Sequence, residues 1–177
     1  MLPRADSYDA LVDAFHWSIP DRFNIAVACC ERWAAAVPDR PALIACDAKG
    51  ETTATTFAEL KDQSDRLAHA LRHRGVGPDD RLALLLPQSV EAAVCHLAVY
   101  KVGAVVVPLA ALFGADALRF RLQDSGARAI LTNAAGLSKL RDILSYLPDL
   151  ETILCTDGPH RGIDGYAEAL EPFGDPF

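Results

Sequence analysis

The sequence predicts an α/β fold: a doubly wound, mostly parallel sheet with helices on both faces. Between residues 56 and 132, short runs of Leu, Val, Ile and Ala, such as residues 81–86 and 104–107, alternate with longer amphipathic segments. Continuous apolar runs of this length are typical of strands that are covered on both faces. Strands that alternate with helices form right-handed parallel crossovers, which is the second reason for the prediction.

The first 21 residues are predicted to form an irregular arm. Tyr8, Phe15 and Trp17 lie in it. Burial of these rings is expected to hold the arm against the body of the protein. The alternative is an aromatic patch that faces a ligand.

The next elements have clear boundaries. Residues 25–37 are predicted to form a helix that Pro38 ends, and residues 41–46 and 51–55 two strands joined by a turn at 47–50. A long helix then begins at Thr56, where Thr56 and Glu59 match a capping box, and ends at Gly75.

The remaining prediction follows the alternation to the end of the chain. Strands are expected at 81–86, 104–107, 127–132 and 152–155, and helices from Ser89 to Lys101, at 115–124 and at 134–145. Beyond residue 156 the pattern fades into turn residues, with one short helical turn at 167–170. The predicted organisation is an arm (1–21), an α/β unit (22–156) and an irregular tail or truncation point (157–177).

Composition excludes several classes of function. The net charge is −7, so no nucleic acid is expected as a partner, because phosphate backbones require a basic surface. No apolar run reaches the ~20 residues of a transmembrane helix. The first residues also lack the apolar core of a signal peptide, so a cytoplasmic location is predicted.

The cysteines and histidines do not form a recognisable site. The five cysteines show no C-x-x-C spacing and are predicted to be reduced. Cys95 and His96 are adjacent on a helix, so their side chains are expected to point apart and to be structural. His69 and His73 have no further metal ligands near them in sequence and are expected to be solvated.

Ligands of open parallel sheets bind at the carboxyl ends of the strands. Here those positions are residues 87–89, 108–114 and 132–133, and none has the glycine pattern of a phosphate cradle. Gly75-Val-Gly77 precedes a strand instead of following one, so it fails as a dinucleotide fingerprint, and no P-loop sequence occurs. The residues alone predict an α/β domain without a complete active site.

Four blocks in order resemble AMP-forming acyl-CoA synthetases of the adenylate-forming superfamily. The resemblance runs from about Phe23 to Thr132, and Gln88 and Val102 stand where that family commonly has Asn and Ala. Segments at 23–25, 31–33 and 112–122 are similar to the acetyl- and medium-chain branch. The four blocks are Thr56-Phe-Ala-Glu-Leu60, Gly75 to Pro87, Tyr100 to Leu109, and Leu122 to Arg128.

The resemblance implies a function for a larger enzyme. Such enzymes activate a small-molecule carboxylic acid with ATP and Mg²⁺ to an acyl-adenylate, and coenzyme A then displaces AMP. The family's phosphate loop, adenine-stacking motif, ribose-binding aspartate and catalytic lysine all come later than the matched blocks, and none occurs here. The fold implied is the N-terminal subdomain of the adenylate-forming core, and no catalytic residue or metal ligand is predicted in this chain.

The resemblance implies one tentative binding site. In relatives, the region after the strand that ends at Thr132 has arginines near the coenzyme A phosphates. Alignment on Gly136 places Arg141 near one of them, with Lys139 close by, while Ser138 stands where another arginine would be. The alternative is a solvated basic helix face.

Two hypotheses for the function follow. The first is the N-terminal part of an acyl-CoA synthetase, which is expected to be inactive alone because it lacks the groups that stabilise the transition state. The second is a stand-alone binding or regulatory module derived from such an enzyme. An isolated half-core is also expected to expose apolar surface, which predicts a homo-oligomer such as a dimer, or poor solubility.

Overall fold

The computed structural model describes residues 3–47 and 49–177. Residues 1–2 of the predicted arm and Ala48 of the predicted turn lie outside the described residues. The strands are β1 (Pro41–Cys46), β2 (Thr52–Thr56), β3 (Arg81–Leu85), β4 (Val105–Pro108), β5 (Ala129–Thr132), β6 (Thr152–Cys155) and β7 (Asp164–Gly165). The helices are α1 (Tyr8–Ala14), α2 (Arg32–Ala36), α3 (Phe57–His73), α4 (Val90–Val102), α5 (Ala115–Ser125), α6 (Ala134–Leu140) and α7 (Tyr166–Leu170).

The main sheet has five parallel strands in the order β4-β3-β5-β6-β7. The chain moves from β3 to β4 in one direction, then crosses back and continues to β5 and β6 in the other. Such a reversal is the defining feature of a doubly wound sheet. The predicted fold class is therefore confirmed. β1 and β2 form a separate two-stranded antiparallel sheet.

Each face of the main sheet is covered by its own hydrophobic cluster. Leu82 and Leu84 of β3 pack in the cluster that contains α3, α4 and α7. Ala83 and Leu85 of the same strand point to the opposite face, where α5 and α6 pack. Since side chains alternate along a strand, the continuous apolar run of β3 is explained by burial on both faces.

The helix boundaries follow local capping chemistry. Thr56 and Glu59 form the predicted capping box, and Ser89 accepts a hydrogen bond from the N–H of Ala92 at 3.2 Å to cap α4. Gly103 ends α4 with φ of +78°, a conformation that favours glycine. These contacts confirm the predicted starts of α3 and α4.

Two arginines stabilise the amino ends of the strands. Arg81 donates to the carbonyl oxygens of Ser125 (2.6 Å) and Gly126 (3.1 Å). Arg128 donates to Asp80 at 3.1 Å and to Glu151 at 2.6 Å. Charge-assisted bonds of this kind hold the loops at the amino ends of the strands in place. The loops at the carboxyl ends are left for other roles.

The predicted helix at 134–145 is too long. α6 ends at Leu140, and a 3₁₀ turn follows at Leu144–Tyr146. Ile143 and Leu147 are buried in the same cluster as Leu140, so the apolar spacing that suggested one helix is real. The chain instead makes tighter bonds, from the N–H of Ile143 to Leu140 O and from the N–H of Leu147 to Leu144 O.

The predicted helix at 25–37 is interrupted. A π-helical turn covers Val27–Glu31 before α2 begins. A π turn inserts one extra residue, which changes the direction in which the following side chains point. Cys30 on this turn is fully buried, and the Glu31 carboxylate lies 3.3 Å from the Lys101 ammonium.

The arm differs from the expectation in two ways. It contains a helix, α1, whose start is capped by the Ser7 hydroxyl. Its aromatic rings are not buried: Trp17 is 80% and Tyr8 79% exposed. The prediction that aromatic burial holds the arm is wrong for these two rings. Just after the arm, the Asn24 side-chain amide donates a hydrogen bond to the Tyr100 carbonyl oxygen at 2.8 Å.

Residues 157–177, predicted as an irregular tail with one short helical turn at 167–170, contain two elements: α7 confirms that turn, and β7 was not expected. β7 pairs in parallel with β6, and α7 packs Tyr166, Ala169 and Leu170 into the first cluster. The segment after α7 lies on α3, where the His69 ring contacts the rings of Phe173 (5.8 Å) and Phe177 (4.9 Å between centroids).

Candidate functional site

A cleft of about 810 Å³ lies at the carboxyl ends of β3 and β4. One wall is β1, residues 43–46. The others are the turn after β3 (86–89), the start of α4, and the loop after β4 (108–112). Two of the three positions at which the sequence predicts ligand contacts therefore border the same cleft. This is also where doubly wound sheets bind their ligands.

The lining of this cleft is apolar and uncharged. Among the lining residues that the structure describes, none is Asp, Glu, Lys or Arg. The polar groups are Cys46, Gln88, Ser89 and His96. The Ser89 hydroxyl is engaged in capping α4. Since phosphate and carboxylate groups are bound by charge-assisted bonds, the cleft fits an uncharged apolar group better than an anion.

His96 and Cys95 do not act together. The His96 Nδ1 lies 3.2 Å from the Tyr100 hydroxyl, one helical turn away, and burial lowers the pKa of this histidine. Cys95 is fully buried, and burial raises the pKa of its thiol to about 12. A thiol with that pKa is protonated near neutral pH and is a poor nucleophile. The structural reading of this pair is supported.

The switch point of the sheet lies between β3 and β5, whose following helices cover opposite faces. It is closed by packing. The Thr132 hydroxyl donates to the Leu85 carbonyl at 3.0 Å, and a Cβ at Gly136 would lie 2.0 Å from Thr132 Oγ1. α6 therefore starts in direct contact with the end of β5. No P-loop sequence occurs in this chain.

The two residues predicted near coenzyme A phosphates have different environments. The Lys139 ammonium donates to the carbonyl oxygens of Ala111 (2.5 Å) and Phe113 (3.1 Å), so it connects α6 to the loop after β4. Arg141 stands at the carboxyl-terminal cap of α6 and is exposed. Within the described part of the chain its guanidinium has no hydrogen-bond or ion-pair partner.

A buried ion network lies between α3, α4 and the π-helical turn. The Lys101 ammonium is bonded to Asp65 and lies 3.3 Å from Glu31; the side chains of Lys101 and Asp65 are 2% and 4% exposed. Lys61 donates to the other oxygen of Asp65 at 2.5 Å, and this hydrogen bond raises the lysine pKa. Burial raises the pKa of the neighbouring Cys30 thiol, an effect that Lys101 opposes.

Sequence reasoning missed this network. Asp65 follows Ser64 on the buried side of α3, and Lys101 ends an otherwise apolar stretch of α4. A charged residue within an apolar helical face is a recognisable signal, because such residues are rarely buried without a partner. The paired charges balance, so the network is better suited to joining the helices than to binding a ligand.

The histidines of α3 show no sign of metal binding. Among residues 3–47 and 49–177, no group of three or more His, Cys, Asp or Glu side chains could hold a metal ion. His69 is half-buried against Phe173 and Phe177, so the expectation that it is simply solvated is wrong. His73 is exposed, although the centroid of its ring lies 6.0 Å from that of the Phe173 ring.

Comparison with known proteins defines the family. A family model described as "AMP-binding enzyme" matches residues 30–172. The chain belongs to the AMP-binding enzyme family. The matched range includes the cleft, the ion network and both residues of the tentative coenzyme A site.

Two curated relatives are similar over more than half of this chain. One is acetyl-coenzyme A synthetase 2 of Zygosaccharomyces bailii, 37% identical over 117 residues, which are 66% of this chain and 17% of that protein. Another is the probable non-canonical nonribosomal peptide synthetase CymA of Salinispora arenicola, 38% identical over 62% of this chain and 1% of that protein. The predicted resemblance to AMP-forming synthetases is confirmed.

A solved structure supports the fold over nearly the whole chain. The acyl-CoA synthetase of Brucella canis superimposes with a TM-score of 0.82 and 27% identity, covering 98% of this chain and 34% of that one. The chain thus spans about a third of that structure, and less than a fifth of the two sequence relatives. In the part of the chain that is described, no helix has the length and apolar character needed to cross a membrane.

Proposed function

We propose that this chain forms the N-terminal part of an enzyme that activates a carboxylic acid with ATP and Mg²⁺, and transfers the acyl group to coenzyme A. The observation that supports this most directly is the match of the family to residues 30–172, together with the fold shared with about a third of an acyl-CoA synthetase. Among the described lining residues of the cleft, no charged side chain would select a particular carboxylate.

In that enzyme this chain provides a structural scaffold. By itself the chain is inactive. The crevice between β3 and β5 is closed by Thr132 and Gly136, and the sequence has no phosphate loop. Transition-state stabilisation in phosphoryl and adenylyl chemistry depends on groups that surround the phosphates. Such groups must therefore come from another part of the enzyme.

The test is acid-dependent exchange between ATP and pyrophosphate. The 177-residue protein is expected to show no exchange with acetate or medium-chain acids. A fusion in which it replaces the corresponding third of the Brucella canis synthetase is expected to show exchange. Exchange by the chain alone would refute the inactivity, and an inactive but folded fusion would count against the proposed role.

The same proposal includes a contact with coenzyme A at the end of α6. Arg141 is exposed and its guanidinium is available, whereas Lys139 is held by the carbonyl oxygens of Ala111 and Phe113. We therefore assign the phosphate contact to Arg141. The role of Lys139 is to hold the loop after β4 beside it. Both residues were suggested by resemblance, and the different hydrogen bonding of their side chains supports this division of roles.

This assignment is tested by the affinity of the active fusion for coenzyme A. Arg141→Ala is expected to weaken binding by about tenfold, the typical worth of one charge-assisted hydrogen bond. Arg161→Ala, which removes an exposed arginine outside α6, serves as the matched control. Equal affinity of the Arg141 variant and the control would remove the coenzyme A site from the proposal.

The second candidate function is a stand-alone binding module. One observation favours it: both faces of the main sheet are covered by clusters from this chain itself. The gene distinguishes the two candidates. An open reading frame that continues past Phe177 into a Ser/Thr/Gly-rich loop supports the ligase, and a stop codon after Phe177 supports the module.

A further inference from the structure

The two-stranded sheet has an edge that is suited to pairing. β1 pairs with β2 alone among the described residues. The N–H of Asp47 bonds to Glu51 O at 2.9 Å. Because hydrogen-bonded and non-hydrogen-bonded pairs alternate in an antiparallel ladder, Ile44 and Cys46 direct their backbone N–H and C=O groups away from β2. A two-stranded sheet is marginal by itself, so this free edge is a place where a third strand adds stability.

The free edge of β1 faces the apolar cleft. Residues 43–46 all line it, and consecutive strand residues point to opposite faces. No residue of β2 is among the described lining residues, so β1 presents its outer edge, and not its paired edge, to the cleft. Ile44 is 72% exposed at this edge, and Leu112, on the loop after β4, is 95% exposed. Backbone groups and apolar side chains are therefore presented together, as in sheets that accept an added strand.

The chemistry of the cleft favours a polypeptide over a charged ligand. Its described lining has no Asp, Glu, Lys or Arg, although the protein as a whole has a net charge of −7. A nucleotide or a free carboxylate would find no countercharge there. An apolar strand would bury its side chains in the cleft and satisfy the backbone of Ile44 and Cys46.

We propose that the outer edge of β1 and the adjoining cleft receive a β-strand from the polypeptide that completes the ligase. The length of the Brucella canis synthetase supports this occupant. This chain matches 34% of that protein, so about two thirds of it lie outside the match. The inference rests on the proposed function. It adds where the remainder of the enzyme docks and through which backbone groups.

The test uses two proline variants at paired positions. Ile44→Pro removes the N–H that faces the cleft, whereas Ala54→Pro removes the N–H of the residue paired with it, which faces the opposite edge. Neither N–H takes part in the β1–β2 ladder, so both variants are expected to keep the hairpin. Circular dichroism and thermal unfolding of the free chains check this.

Docking is measured by alkylation of cysteines. Cys46 lines the cleft and is exposed, and Cys29 is exposed on the π-helical turn and serves as an internal control. The probes are the 177-residue protein alone, the protein co-expressed with the remaining two thirds of the Brucella canis synthetase, and the single-chain fusion. In the last two, alkylation of Cys46 is expected to slow by at least about tenfold, with Cys29 unchanged.

The variants then locate the contact. Ile44→Pro is expected to restore fast alkylation of Cys46, and Ala54→Pro to leave it slow. Equal alkylation of Cys46 in the fusion and in the free chain would overturn the proposal, as would equal effects of the two prolines. Slow alkylation in the free chain that quickens on dilution would assign the edge to a second copy, and would also overturn it.

Failure of this inference is distinguishable from failure of the proposed function. Alkylation requires neither ATP nor coenzyme A. A fusion that protects Cys46 but makes no acyl-adenylate keeps the docking inference and refutes the function. A fusion that is active while Cys46 reacts as fast as in the free chain refutes the docking inference alone.

Discussion

At the scale of single residues, close packing fills the space at the carboxyl end of β5, a position where a sheet of this kind would otherwise hold a ligand. Thr132 is fully buried, and its hydroxyl bonds to the carbonyl of Leu85 on the neighbouring strand. Gly136 allows α6 to approach this hydroxyl because it has no side chain. The glycine therefore determines how closely α6 approaches the sheet. It does so because it has no side chain, and not because of its backbone conformation.

Gly136→Ala is expected to lower the free energy of unfolding by about 1–3 kcal/mol, the usual cost of an overpacked core. Its Cβ would lie 2.0 Å from Thr132 Oγ1 and 3.1 Å from a Leu85 methyl group. Gly174→Ala is the matched control, since its Cβ would meet nothing within 4 Å. Urea titration measures both variants. Equal stability would show that α6 moves aside without cost.

At the scale of the elements, α3 begins with a capping box that depends on pH. Glu59 accepts hydrogen bonds from the Thr56 backbone N–H (2.8 Å) and hydroxyl (2.9 Å). These bonds lower the pKa of the carboxyl group below its ordinary value of 4.5. A group with a depressed folded-state pKa stabilises the protein above its unfolded pKa, and the contribution disappears as the pH falls through the folded value.

Glu59→Gln is therefore expected to destabilise the protein at pH 7 and to have a smaller effect as the pH drops below 4.5. Denaturation curves of both proteins between pH 7 and the lowest pH that keeps them folded measure the difference. Glu171→Gln, an exposed glutamate at the end of α7, is the control. A difference that is constant with pH would show that the Glu59 charge does not contribute.

The ion network determines how α3 and α4 are joined. Lys101→Met leaves the buried Asp65 carboxylate with Lys61 as its remaining partner, and is expected to cost about 3 kcal/mol. The double variant Lys101→Met, Asp65→Leu removes both buried charges and is expected to recover most of this loss. A double-mutant cycle by urea denaturation measures the coupling. Additive effects of the two substitutions would contradict a direct interaction.

The elements also show what sequence can predict. β3 to β6 were predictable because each is a continuous apolar run, and α3 because its cap and apolar spacing agree. β7 was missed because Asp164–Gly165 has no apolar signal and becomes a strand only by pairing with β6. The π-helical turn was missed because residues 27–31 include no Gly or Pro that would indicate an interrupted helix.

The site was less predictable than the fold, for a related reason. Asp65 and Lys101 are 36 residues apart, so their pairing depends on the packing of two helices. The cleft likewise combines β1 with loops that follow β3 and β4, and no local pattern shows that these segments meet. Only the carboxyl-end rule for parallel sheets pointed to this position.

At the scale of the whole molecule, large apolar side chains are exposed over several surfaces. They include Trp17 (80%), Ile44 (72%), Leu112 (95%) and Phe120 (65%). Exposed apolar patches commonly mark surfaces that another chain covers. The expected homo-oligomerisation therefore stays a prediction, and its basis is the exposure of side chains outside the cleft, such as Trp17 and Phe120.

The isolated protein is expected to bind an apolar dye and to self-associate as its concentration rises. Dye fluorescence and light scattering after size-exclusion chromatography measure the two effects. Leu112→Gln is expected to reduce dye binding more than Val12→Thr, because Leu112 borders the cleft and Val12 lies on α1. A monodisperse monomer that binds no dye would contradict this expectation.

The strand order has a consequence for how the protein is made. Within the main sheet, β3 is synthesised first and becomes an inner strand. Each later strand of this sheet joins a strand that already exists: β4 and β5 join β3, β6 joins β5, and β7 joins β6. No strand has to be inserted between two earlier ones. Domains fold as units during synthesis, and short loop closures are fast. The sheet can therefore assemble outward from β3 while translation continues, and few unpaired strand edges await a partner that has yet to be synthesised.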